Sequence, residues 1–152
     1  MHTYIVFKPE TTSRCLVAVI KFLREKFPGI GFITHSDIKL SEAEVLMLYS
    51  DDMPPAIKAE SVNRLANCSL TVIQVTNGAE TVAELAHIRG SNVDPAQCEL
   101  GTLRRILWNE LGCEVVELGG GLRYYPNFVH IPQNEREASV CESLFGKHFN
   151  KK

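Results

Sequence analysis

Leu70-Thr71-Val72-Ile73-Gln74-Val75 is dense in β-branched residues, which predicts a buried central strand. Upstream of it, Ser41-Glu42-Ala43-Glu44 spaces a hydroxyl and a carboxylate as a capping box does, opening a helix to about Tyr49. Pro54-Pro55 then marks a break and a second helix start, carrying Ile57 and reaching about Ala66. Downstream, Asn77-Gly78 turns the chain into a helix from about Glu80 to Ile88.

Further out, Tyr4-Ile5-Val6-Phe7 is strongly β-prone and stops at Lys8-Pro9, because a proline cannot donate to a sheet ladder. Thr11 to Ser13 offer N-caps for a helix with Leu16, Val17, Val19, Ile20 and Leu23 at helical spacing, ending near Phe27-Pro28-Gly29. The stretch 30–40 alternates loosely, as a long half-exposed strand would. Gly90 to Gly101 has no period and reads as a loop, and Thr102 is a cap candidate for a short helix over 103–111. Residues 114–125, with Gly119-Gly120-Gly121 at their centre, resemble a small hairpin or Gly-rich flap. Asn127-Phe128-Val129-His130 is the last core strand, with Asn127 near its start and His130 at its exit. Asn134-Glu135-Arg136-Glu137 opens a final helix through Leu144.

Four strands interleaved with helices in βαββαβ order predict an α+β, ferredoxin-like fold: a four-stranded antiparallel sheet with helices on one face and an extra C-terminal helix. No repeat or linker interrupts the pattern, so residues 1–152 read as one domain.

A net charge of −2, with 45% hydrophobic and 22% charged residues, argues against broad nucleic-acid or membrane-surface binding. No apolar run approaches the ~20 residues a membrane helix needs. The first residues run directly into a strand with no leader pattern, so the expected location is cytoplasmic. Cys15, Cys68, Cys98, Cys113 and Cys141 are scattered without zinc-site spacing and read as free thiols. His2 and His148 near the termini read as solvated, His35 as a strand residue, Lys151-Lys152 as a charged end, and Trp108 as core or interface.

Such a fold brings together Lys8 at the exit of the first strand, Arg104 at the start of the short helix and His130 at the exit of the last strand. Two cations and a nucleophile suit a transferring phosphoryl group, which needs charge compensation and positioning. The alternative for His130 is a hydrogen-bonded strand-end residue with no chemistry.

The chain resembles nucleoside diphosphate kinases over nearly its whole length. Ile5-Val6-Phe7-Lys8-Pro9-Glu10, Ser41 to Tyr49, Cys68 to Val75, Asp94-Pro95, Gly101-Thr102-Leu103-Arg104, Asn127-Phe128-Val129-His130 and Leu144-Phe145 are similar to that family's motifs, in its order. The resemblance implies a ping-pong transfer of the γ-phosphate from a nucleoside triphosphate to a diphosphate through a phosphohistidine at His130. It also implies that Lys8 and Arg104 bind nucleotide phosphates and that Asn127 contacts the sugar hydroxyls and the lysine. Tyr49 would lie beside the histidine, and Mg²⁺ would be held mainly by the phosphates, with no protein metal site. Its members are homo-oligomers, as dimers, tetramers or hexamers; neither a membrane nor a specific nucleic acid is an expected partner.

The departures are specific. Ile57 falls where the family places a base-stacking aromatic, and stacking contributes roughly 1–3 kcal/mol. The second phosphate-binding arginine maps to His87, with Arg89 two positions on; the two point nearly opposite ways on a helix, so only one can serve. A phosphate-binding threonine maps to Val93, the Gly-Ser after the histidine is Ile131-Pro132, and the carboxylate that orients the imidazole maps to Cys141, with Glu142 adjacent. Between Arg104 and Asn127, over 105–126, the chain carries about thirteen extra residues, readable as a nucleotide lid, an oligomer contact or a tolerated surface insertion. The changes at Val93, Ile131 and Cys141 favour one alternative, a catalytically impaired nucleotide-binding sensor or scaffold of the same family; a further alternative, an unrelated ferredoxin-like interaction domain, would be favoured by failure to bind any nucleotide.

Overall fold

The computed structural model describes residues 2–9, 11, 13–29, 31–49, 52–76, 79–112 and 114–150. Its main sheet has the order β2-β3-β1-β6, formed by β2 (Gly31–Ile38), β3 (Leu70–Thr76), β1 (Thr3–Phe7) and β6 (Val129–His130), every pairing antiparallel. This is the ferredoxin-like arrangement. The predicted central strand is internal, between β2 and β1.

Helices cover both faces of the sheet, not one as expected. Along β1 alternate residues enter two separate clusters. Ile5 and Phe7 pack with α1 (Ser13–Lys26), α4 (Ala79–Arg89) and α5 (Leu103–Leu111). Tyr4 and Val6 pack with α2 (Glu42–Met47), α3 (Pro55–Leu65) and α6 (Glu135–Phe149). The sequence basis is that Tyr4-Ile5-Val6-Phe7 is apolar at every position, and all four are buried.

The capping box at Ser41 forms as read: Ser41 Oγ accepts from Glu44 N at 3.2 Å, and Glu44 Oε1 accepts from Ser41 N at 3.0 Å. Two other cap candidates do different work. Thr11 donates its hydroxyl to the Phe128 carbonyl at 3.0 Å, and Thr102 donates to the Glu99 carbonyl at 2.7 Å without capping α5. Thr12, the Asn77-Gly78 turn, Cys113 and Lys151-Lys152 lie outside the described residues. The strand expected over 30–40 spans Gly31–Ile38, with an irregularity between His35 and Ile38 where Asp37 takes φ 63°.

The loop expected over 90–101 contains one short 3-10 turn, Pro95–Gln97, capped by Asp94. Residues 114–125 form the expected hairpin, β4 (Val116–Gly119) and β5 (Leu122–Tyr124), which is a sheet of its own. Among the described residues Cys68, Cys98 and Cys141 are free thiols. Trp108 packs partly buried against the first core cluster, and His148 is half-buried with its ring 5.5 Å from that of His35, more enclosed than its place near the terminus suggested. Among the described residues no helix is long and apolar enough to cross a membrane.

Candidate active site

The register of β1 creates the site. Val6 pairs with His130 and Phe7 with Val129, so the next residue out of β1, Lys8, lies against the chain just before β6. Lys8 N donates to the Phe128 carbonyl at 2.8 Å, and its ammonium donates to Asn127 Oδ1. Asn127 in turn donates Nδ2 to the Val93 carbonyl at 3.4 Å. The position that lacks a hydroxyl side chain therefore contributes its backbone, while the Val93 side chain is exposed.

Strand β6 is shorter than the sequence predicts and excludes Asn127. The reason is a γ-turn: Phe128 takes φ 72°, and Val129 N donates to the Asn127 carbonyl at 2.8 Å. A bulky residue at positive φ is strained. Burial of the Phe128 ring holds it there, and the turn aims Asn127 and His130 at one cavity.

Two arginines complete the cluster. Arg89, in the last turn of α4, donates to the Gly90 carbonyl at 3.0 Å and to the Ile131 carbonyl at 3.2 Å. With the Gln133 amide oriented to suit these donors, its oxygen accepts from Arg89 Nη2 at 2.8 Å and from Nη1 at 3.1 Å. Arg104, in the first turn of α5, donates to the carbonyls of Gly90 at 3.3 Å and Asn92 at 2.9 Å, leaving Nε buried without a hydrogen-bond partner. Lys8, Arg89 and Arg104 are 5%, 6% and 7% exposed, a degree of burial rare for cations.

Burial, reinforced by the neighbouring Arg89 charge, pushes the Arg104 guanidinium down to about 10. Burial likewise lowers that of Arg89. The largest effect falls on His130: burial first, then the charges of Lys8, Arg89 and Arg104, push its imidazole down to about 3. The ring is therefore neutral at physiological pH and carries a lone pair. Tyr49 stands edge-on to it, ring centroids 5.7 Å apart.

Together these side chains line a cavity of about 320 Å³ containing Lys8, Tyr49, Arg89, Arg104, Asn127 and His130. Its electrostatics suit a compact polyanion, and its one neutral imidazole suits nucleophilic attack. Ile57 lines an adjoining cleft of about 300 Å³ that shares Lys8, Tyr49 and Asn127 with the first.

Of the two α4 candidates, His87 is not at the site. It is exposed and lines a separate depression with Lys26 and Glu84, because two residues along a helix rotate the side chain to the far side. Arg89 occupies the cavity instead. Neither sequence candidate for the orienting carboxylate position meets the imidazole. Cys141 is fully buried, its thiol pushed by burial up to about 12, and Glu142 accepts from the Tyr4 hydroxyl in the core. Glu137, one helical turn before Cys141, reaches the cavity, where its Oε2 accepts from Gln133 N at 2.9 Å. Sequence reading did not assign Gln133 or Glu137 to the site. The capping pattern at Asn134 was the available signal for Glu137, since a residue in the first turn of α6 follows β6 directly; nothing marked Gln133.

No protein-family model matches the chain, and no curated protein matches it by sequence. Solved structures do match. A nucleoside-diphosphate kinase from Borrelia burgdorferi, a transition-state mimic with bound vanadate and ADP, superposes with TM-score 0.68 at 19% identity, over 95% of this chain and 86% of that one. The nucleoside diphosphate kinase of Encephalitozoon cuniculi gives 0.68 at 20% identity, over 95% and 87%. An NDP kinase from Pyrobaculum aerophilum gives 0.63 at 19%, over 91% of each chain. The chain has the fold of nucleoside diphosphate kinases.

Proposed function

We propose that this protein is a divergent member of the nucleoside diphosphate kinase family and transfers the γ-phosphate of a nucleoside triphosphate to a diphosphate through His130. The observation that carries this reading is a neutral imidazole ringed by three buried cations on that fold. The ADP and vanadate held by the Borrelia protein are the kinds of group such a cavity accommodates.

His130 Nε2 is buried without a hydrogen-bond partner, which leaves Nδ1 as the nitrogen able to meet a phosphoryl group. Its lone pair attacks the γ-phosphorus. An N–P bond forms as the bond from phosphorus to the β,γ-bridging oxygen breaks, and the diphosphate leaves with that electron pair. A second diphosphate then attacks the phosphohistidine through a terminal oxygen, restoring the imidazole. Lys8, Arg89 and Arg104 offset the charge on the transferring group and its oxygens.

Among the described residues no group of three or more His, Cys, Asp or Glu side chains could cage a metal. A Mg²⁺ arriving on the nucleotide phosphates would add charge neutralisation there. Nucleoside di- and triphosphates are the partners. A soluble, cytoplasmic homo-oligomer is the setting this reading implies.

One observation favours a second reading, nucleotide binding without efficient transfer. No carboxylate bonds His130 Nε2, and control of the tautomer by such a partner can be worth orders of magnitude in rate. Incubation with Mg²⁺ and γ-labelled ATP separates the two. Acid-labile, base-stable label on the native protein, absent from His130→Ala and removed by added GDP, is the expected result. Measurable ATP binding with no label rejects transfer and leaves the second reading.

A further inference from the structure

We infer that Tyr125, delivered by the β4–β5 hairpin, is the stacking platform for the nucleotide base, taking over a task that Ile57 cannot perform. This rests on the proposed nucleotide reading and adds a residue that no motif of the chain points to. The cleft beside the phosphate-binding cavity has two walls. One comes from the start of α3 and the segment before it, Met53, Pro54 and Ile57; the other comes from the hairpin, Tyr124 and Tyr125.

Because Lys8, Tyr49 and Asn127 line both hollows, a ligand with its phosphates among the cations extends its remaining part into this cleft. A heteroaromatic base is the occupant that fits: planar, continuous with a polyanion, and favoured by an aromatic face. The first wall, which also carries Asp52 and Ser61, offers no aromatic face.

The two tyrosines are not equivalent. Tyr124 is 4% exposed, and the Arg64 guanidinium lies 4.8 Å from its ring centroid, so that residue is committed to joining the hairpin to α3. Tyr125 is half-buried and lines the cleft. Arg123, two residues before it, is paired across the hairpin with Glu117 at 3.0 Å. The hairpin thus presents Tyr125 from a braced strand end. Stacking recognises any base by its π-face, so it gives affinity without selecting among bases.

The test compares ATP with inorganic tripolyphosphate, which has the charge and neither base nor sugar, by calorimetric titration of the full chain. For Tyr125→Ala, ATP affinity is expected to fall about 5- to 150-fold with tripolyphosphate affinity unchanged. Tyr125→Phe, which keeps the ring and loses only the hydroxyl, is expected to bind both ligands as the native chain does. Unchanged ATP affinity in Tyr125→Ala overturns the inference, as does an equal loss for both ligands or an equal loss in the phenylalanine variant. A native chain that binds neither ligand overturns the nucleotide reading and this inference together; a native chain that binds both, with an unaffected alanine variant, overturns this inference alone.

Discussion

At the scale of single residues, the functional reading turns on why a histidine beside three cations is useful. Each positive charge that attracts a phosphate also disfavours imidazolium, so the same residues that bind the substrate keep the nucleophile unprotonated. This predicts an unusual pH profile. With the free imidazole held near 3, the rate of labelling by γ-labelled ATP should show no fall attributable to His130 between pH 8 and about 5, where an ordinary histidine would be titrating. Stability should move the other way. The unfolded chain binds a proton at His130 below about 6.5 and the folded chain does not until about 3, so stability decreases as pH falls through that window. Proton titration of His130 followed by NMR checks both, and a midpoint near 6.5 in the folded protein would contradict them. Removing one cation, as in Lys8→Met, should raise that midpoint.

At the scale of elements, much of the architecture was readable because local chemistry and global fold agree. The capping box at Ser41 sets the start of α2, which carries the chain toward Tyr49 beside His130. Replacing Ser41 by Ala leaves the Glu44 amide without its cap and should cost about 1 kcal/mol in denaturant unfolding, with little effect on the site itself. The β-prone runs at 4–7 and 70–75, the Pro54-Pro55 break and the hairpin over 114–125 were equally legible, since each depends on neighbours in sequence. The short β6 was not. A γ-turn at a buried phenylalanine has no sequence signature, because what holds φ at 72° is tertiary packing around the ring. Thr11 and Thr102 show the same limit: a hydroxyl near a helix start suits capping, yet in both cases a carbonyl within reach took the bond instead.

At the scale of the whole molecule, three residues distant in sequence become one charge cluster through sheet register and helix placement. Lys8 arrives from β1, Arg89 from the end of α4 and Arg104 from the start of α5. Fold order brought Lys8, Arg104 and His130 together, the family resemblance added Asn127, all four line the cavity, and helix geometry required a choice between His87 and Arg89. The outcome of that choice, and the presence of Glu137 in the cavity lining, depended on which helix faces meet the end of β6. Packing alone decides that. The cluster also has a thermodynamic consequence. Arg89 and Arg104 are desolvated and largely partnered by neutral carbonyl and amide oxygens, and Arg89 disfavours the charge on Arg104. Such an arrangement is poorly compensated until an anion enters, so a polyphosphate should bind the folded state and stabilise it well beyond any general salt effect. At a free concentration a hundred times its dissociation constant, tripolyphosphate is expected to add about 2.7 kcal/mol, a rise of roughly 5–10 °C in melting temperature for a chain of this size. In Arg104→Met that increment should largely disappear, while sodium chloride of matched ionic strength should not reproduce it in the native protein. An equal rise with chloride would mean that the cations are merely screened, and that the cavity is not built to hold phosphate.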